Sequence, residues 1–314
     1  MTIPSRIKLN PVPENAGISI IAPASFARQE RVDLGMQALR RLGYAPRFAQ
    51  HAQARGPLFF AGSADQRAAD LHAAFDDSDA HIVMSLRGGY GSNYILPGLD
   101  LKAIRKNPKP FFAYSDLTGV QLRLLDELAL PAFHGPMAAA DFFLEDGVHL
   151  PSFRAALGMR SYSVGPEEGL RTLKTGSARG TLYGGCLSIL VSLLGTPWEP
   201  HTEGKLLFLE DTGAKPYQID RMLWQLRNAG KLDGVTGIVL GEMLDCASPG
   251  TPPEFLEQVI ATVFDDFPGP IAMGLRSGHV SRQNVTLVFG VNAELNLAAH
   301  EEPVLRVESV GDAV

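Results

Sequence analysis

The sequence predicts an α/β protein of two domains, with a mostly parallel sheet in the first. Short apolar runs alternate with amphipathic stretches of helical period through the first half of the chain, the pattern of βα units feeding parallel strands. A chain of 314 residues is long for one compact core and suits two domains of ordinary size. Between Leu150 and Gly180 the alternation lapses into Gly, Ser, Pro and charged residues, the composition of a connection. The expected division is an N-terminal domain over residues 1–155, a linker over 156–179 and a C-terminal domain over 180–314.

Taken in order, Ile18 to Pro23 reads as the first strand, with a helix from about Glu30 to Leu42. A helix over Ala64 to Phe75 feeds the strand His81 to Leu86, which runs into Arg87-Gly88-Gly89-Tyr90-Gly91. Pro110 to Tyr114 is a strand that stops at Ser115, and Gly119 to Leu128 is its helix. Pro23-Ala24-Ser25, the glycine run, Ser115 and His134-Gly135-Pro136 all follow strands. Ligands of open α/β sheets gather beyond the carboxyl ends of strands, so one rim is expected to hold all four. After the linker, Gly184 to Ser188 opens an apolar helix and Lys205 to Leu209 is a strand closing on Glu210-Asp211. A helix over Gln218 to Ala229 places Ile219, Met222, Leu223 and Leu226 on one face, expected to be core. The strand Val235 to Leu240, a helix from Pro253 to Phe264, the strand Ile271 to Leu275 before Arg276-Ser277-Gly278-His279, and a late strand within Asn284 to Val291 complete the reading.

Composition narrows the function. A formal net charge of −6 with no basic stripe argues against nucleic acid. The N-terminus lacks a secretory apolar core, and no segment reaches the roughly 18 apolar residues of a membrane span, so a cytoplasmic protein with no membrane partner is expected. Cys186 and Cys246 are distant from each other, and the histidines show neither HExxH nor a helical i, i+4 pair. No disulfide scaffold, metal or cofactor is expected.

The chemistry centres on the strand-to-helix turn at Ser115. Such a turn exposes the serine oxygen and aims the first free N–H groups of the helix at the atom it attacks. The turn is not G-x-S-x-G, since Ala113 and Leu117 stand at the glycine positions, and a serine there also serves as a helix N-cap. A serine nucleophile needs a base, a group orienting the base, and oxyanion donors. His279, inside the glycine-bearing run Gly274 to His279, is the best candidate base, against the bland alternative of a loop histidine bonded to a carbonyl. Glu210 and Asp211 compete as the orienting acid, and strand alternation turns them to opposite faces. Gly88 and Gly89 lack the spacing of a nucleotide loop and suit a close backbone approach, so the N–H groups of Gly89 and Asp116 are the expected oxyanion hole. Arg87 and Arg276 are the candidates for gripping a terminal carboxylate through two N–H groups.

Several separated segments together resemble the LD-carboxypeptidase family: Ala22-Pro23, Arg87 to Gly91, Tyr114 to Thr118, His134 to Met137, and Glu210-Asp211 through Tyr217 to Arg221. Gly185 to Ser188, Leu194-Gly195-Thr196 and Gly278-His279 extend the likeness over nearly the whole chain. The resemblance implies a serine peptidase whose triad, by motif position, is Ser115, His279 and Glu210. It also implies an N-terminal Rossmann- or flavodoxin-like domain, a β-rich α/β C-terminal domain and a homodimer. The implied reaction removes the terminal D-alanine from murein tetrapeptides, cutting at the L-centre of diaminopimelate, in cell-wall recycling. Relatives of the same fold hydrolyse the peptidyl-nucleotide microcin C and confer self-immunity. Tyr94, Cys186 and Ala214 stand where the family often has arginine, asparagine and glutamate, departures that bear on specificity. The microcin-type alternative calls for an aromatic platform, for which the chain offers Trp198 in a loop and Trp224 in a helix, the latter expected to pack. A non-catalytic binding protein would lack a triad member, and none is missing.

Overall fold

The computed structural model describes residues 7–247, 250, 252 and 254–310. From β1 (Gly17–Ile21) the chain passes through α1 (Gln29–Arg41), β2 (Ala45–Phe48), α2 (Ala64–Asp76), β3 (Ala80–Ser85), α3 (Leu101–Lys106), β4 (Phe111–Ala113), α4 (Thr118–Leu128) and β5 (Ala132–His134). There follow α5 (Leu150–Leu157), β6 (Tyr162–Val164), β7 (Arg171–Lys174), β8 (Gly176–Cys186), α6 (Leu187–Ser192) and β9 (Lys205–Glu210). The last elements are α7 (Pro216–Asn228), β10 (Gly237–Gly241), α8 (Phe255–Val263), β11 (Ile271–Leu275), β12 (Leu287–Phe289), β13 (Asn292–Leu297) and β14 (Val304–Val307). The expected helix start at Pro253 lies outside the described residues.

The first sheet has six strands in the order β12-β5-β4-β3-β1-β2, with β1 to β5 parallel. All residues of β1, β4 and β5 are buried, as strands covered on both faces require, which is why they read as continuous apolar runs. The second sheet has eight strands, β6-β14-β13-β8-β9-β10-β11-β7, with a parallel centre from β8 to β11 and antiparallel flanks. The fold is thus the expected α/β class, a parallel sheet joined to a β-rich mixed one.

Two features depart from the expected division. Residues 156–179, expected to be a linker, contain β6, β7 and the start of β8. β6 and β7 are the two edge strands of the second sheet, where one side meets water and polar residues are tolerated, so their sequence resembles a loop. In addition, β12 leaves the C-terminal region to pair antiparallel with β5, setting Leu287 opposite His134. The larger buried core therefore runs from Leu9 to Val310 and draws on both sheets, while a second core packs α6, α7 and α8 against the second sheet.

α4, the helix that follows Ser115, is docked across the junction. Cys186 N donates to Thr118 Oγ1 at 3.2 Å, and Tyr183 Oη donates to Asp126 Oδ2 at 2.8 Å. Gly185 sits at φ +139°, and a Cβ there would stand 2.6 Å from Thr118 Cγ2, so only glycine allows this approach.

Candidate active site

β4 delivers its chain end to a tight turn over Ser115–Leu117, which passes directly into α4. Ser115 has φ +64°, a left-handed conformation that an L-residue adopts at a cost of order 1–2 kcal/mol. Its hydroxyl makes no hydrogen bond among the described residues. Buried Gln121, one helical turn on, donates from Nε2 to Ala113 O at 3.0 Å and Phe133 O at 2.9 Å, tying the ends of β4 and β5 beneath the turn.

His279 follows β11, and Glu210 ends β9. His279 Nδ1 lies 2.8 Å from Glu210 Oε2, and the same oxygen accepts the His279 backbone N–H at 3.0 Å. With Nδ1 engaged, Nε2 is left for a proton from the cleft. Burial lowers the affinity of His279 for a proton, but the charge and hydrogen bond of Glu210 outweigh it, and the imidazole titrates above its ordinary 6.5. Burial likewise pushes Glu210 up, and the cationic imidazole draws it back below 4.5. Gly278, at φ +88°, makes room for the pair: a Cβ there would lie 2.6 Å from the Glu210 carboxyl carbon. Asp211 turns away, its Oδ2 accepting Ser188 N at 2.8 Å at the start of α6.

A buried polar chain, not legible in the sequence, holds the His279 loop. Asn284 Oδ1 accepts Gly278 N at 3.0 Å, while its Nδ2 donates to Gly278 O at 3.0 Å and to Asp141 Oδ1 at 2.9 Å. Asp141 also accepts from Met137 N at 2.8 Å and from Tyr114 Oη at 3.3 Å. The Tyr114 ring meets the His279 ring edge-on, with centroids 5.1 Å apart. Asp141 and Asn284 are 143 positions apart, and neither belongs to a motif, so nothing in the chain announced their contact.

The glycine run packs against the serine turn. A Cβ on Gly88 would lie 2.7 Å from Ser115 Cβ and 3.3 Å from Asp116 N, and one on Gly89 would overlap Ser25 Oγ at 2.4 Å. The N–H groups of Gly89 and Asp116 have no acceptor among the described residues. The Asp116 carboxylate has a separate duty: it accepts Ser92 N at 2.7 Å and so fixes the loop after the glycines. Buried Arg67 Nη1 clamps the same loop by donating to Gly91 O at 2.6 Å and Pro23 O at 2.7 Å.

Ser115, His279, Gly88, Gly89, Arg87 and Tyr114 line one cleft of about 250 Å³. Arg276, expected beside it, does not line the cleft; its guanidinium donates to the Glu167 carbonyl and its backbone N–H to Glu168 O at 2.9 Å, which hold it against the segment before β7. Arg28 and Arg31, which the motifs did not single out, do line it. His134 packs in the core edge-on to Phe208 and tilted against Phe289, and burial pushes it down to about 4, so it is neutral at pH 7.

Of the departures, Tyr94 is exposed and joins an edge-on aromatic group with Phe60 and Tyr90, and Ala214 packs against the second core. Cys186 approaches the pair: its sulfur and the ligand atoms of Glu210 and His279 lie within 4.8 Å of one another. Burial pushes its thiol well above the ordinary range, so it is a neutral neighbour beside a mutually committed acid–base pair. Trp198 packs on the core beneath Arg123, and Trp224, expected to pack, is 40% exposed under Arg227; neither lines the cleft.

Residues 18–135 match the family model described as the LD-carboxypeptidase N-terminal domain, and residues 179–295 match the LD-carboxypeptidase C-terminal domain. A probable murein peptide carboxypeptidase of Bacillus subtilis is 36% identical over 286 residues, covering 90% of this chain and 89% of that protein. The structure of a muramoyltetrapeptide carboxypeptidase from Oxalobacter formigenes superimposes with a TM-score of 0.82 at 28% identity, over 94% of this chain and 99% of that one. An MccF-like protein from Bacillus anthracis gives a TM-score of 0.88 at 26% identity, over 96% and 99%. With both domain models matched in chain order over the two sheets that frame the cleft, this chain belongs to the LD-carboxypeptidase family, a family of serine-type peptide hydrolases.

Proposed function

We propose that this protein is a serine carboxypeptidase that hydrolyses the L,D-amide bond before the terminal D-alanine of murein tetrapeptides. The observation carrying this reading is that Ser115 and His279 share one cleft while Glu210 holds the far nitrogen of the imidazole. In the proposed cycle Ser115 Oγ attacks the scissile carbonyl carbon and its proton passes to His279 Nε2. Glu210 keeps the ring in the tautomer that exposes Nε2 and stabilises the imidazolium. The N–H groups of Gly89 and Asp116 receive the oxyanion, each worth about 3 kcal/mol by analogy with other oxyanion holes. Nε2 then returns the proton to the departing amine of D-alanine, leaving an ester on Ser115. Water hydrolyses that ester by the same route, its proton passing through His279 back to Ser115.

Arg87 is the assigned grip on the terminal carboxylate, being the candidate that reaches the cleft. Cytoplasmic action is part of this reading; among the described residues no helix is long and apolar enough to cross a membrane. So is the homodimer implied by the family resemblance, which sedimentation of the purified protein tests. The decisive experiment is Ser115→Ala assayed for D-alanine release from a murein tetrapeptide. Turnover should vanish while the melting temperature stays near that of the parent, and undiminished release would remove Ser115 as nucleophile.

A further inference from the structure

The cleft carries more positive charge than one terminal carboxylate needs. Arg28, Arg31 and Arg87 all line it, and no Asp or Glu does. Arg28 immediately precedes α1, and Arg31 stands in its first turn, so one short segment supplies both residues to the cleft lining. Glu30, the acidic residue of that turn, does not line the cleft. Among the described residues none of the three arginines pairs with a carboxylate. Arg31 is fixed by lying 4.5 Å over the Phe143 ring, a contact that orients the cation without neutralising it. Desolvation, and then the charges of Arg31 and Arg28, hold Arg87 below its ordinary affinity for a proton. All three arginines are exposed at the cleft and solvated by water, an anionic ligand can replace that water with charge-assisted hydrogen bonds, and one carboxylate engages only one fork well.

We propose that Arg28 and Arg31 form a second anion subsite, taking an internal carboxylate of the peptide while Arg87 holds the terminal one. The substrate class is then a peptide with at least two free carboxylates. This rests on the peptidase reading above. It fits murein tetrapeptides, whose glutamyl and diaminopimelyl residues carry carboxylates besides that of the terminal D-alanine.

Calorimetry on the Ser115→Ala protein measures binding apart from turnover. Two probes serve: L-alanyl-γ-D-glutamyl-meso-diaminopimelyl-D-alanine with every carboxylate free, and the same peptide with its internal carboxylates amidated. The free peptide should bind at least about tenfold more tightly, with a gap that shrinks as salt rises. Adding Arg28→Gln and Arg31→Gln should shrink the gap to within about twofold. Should the double replacement fail to fold, each single replacement should close part of it. Equal binding of the two peptides, no binding of either, or an unchanged gap in a folded variant would overturn the subsite. Displacement of the free peptide by adenosine monophosphate would assign the arginines to phosphate and overturn it as well. Failure of the peptidase reading shows separately, as no D-alanine released from the free peptide by the parent protein with Ser115 intact.

Discussion

Glu210 is the residue on which the proposed base depends, since its one oxygen orients both the ring and the backbone of His279. Glu210→Gln removes the charge that raises His279 while nearly keeping the shape. We expect kcat to fall by about 10³–10⁴-fold, the range for an orienting acid in a triad. His279 acts as a base only when neutral, so the acid limb of kcat/KM should lie above 6.5 in the parent and move to lower pH in Glu210→Gln. The same raised affinity adds stability that is fully present below 6.5 and is lost as pH rises through the folded value. A pH–rate profile with the same acid limb in both proteins would remove Glu210 from this role. Gly278→Ala tests the space beside the pair: its Cβ would meet the Glu210 carboxyl at 2.6 Å on a φ of +88°. It should cost about 2 kcal/mol or more in denaturant unfolding and reduce turnover further than that loss explains.

At the scale of elements, the β4–α4 turn and the loop after β11 are separate pieces of chain tied together by Asp141. Burial pushes Asp141 up to about 6 from its ordinary 3.8. A carboxyl with raised affinity is protonated in the folded chain first, so between about 6 and 3.8 this group makes folding more favourable as pH falls. Asp141→Asn should lose that pH segment and melt lower at every pH, because it turns an amide donor toward Met137 N or toward the Tyr114 and Asn284 donors. Melting curves across this pH range check both statements, and parallel curves for the two proteins would contradict the first. The strand-to-helix turn and the glycine run were readable from local pattern because both are built by consecutive residues. The edge strands β6 and β7 were not, because a half-exposed strand carries little apolar signal.

For the whole molecule, the return of β12 to the first sheet makes the two halves one structural unit. A fragment of residues 1–155 lacks β12 and leaves the β5 edge unpaired, so it should fail to give a cooperative melt when expressed alone. The full chain should unfold in a single calorimetric transition, since one core spans both sheets. Two resolved transitions, or a stably folded fragment, would show the domains to be independent.

The sequence by itself determined the α/β class, most helices, the serine turn and the approach of glycine backbone, because each depends on neighbours within a few residues and on apolar period. It also supplied His279 with two competing acids, Glu210 and Asp211. Residue pattern left the two open and the family resemblance implied Glu210; the tertiary structure turns Glu210 to the imidazole and Asp211 to α6. It likewise withdrew Arg276 from the cleft, brought in Arg28 and Arg31, and joined Asp141 to Asn284. Those outcomes rest on how two sheets pack and which face each strand end presents. That geometry is set by burial of the shared core across the full length of the chain, and no local window of residues contains it.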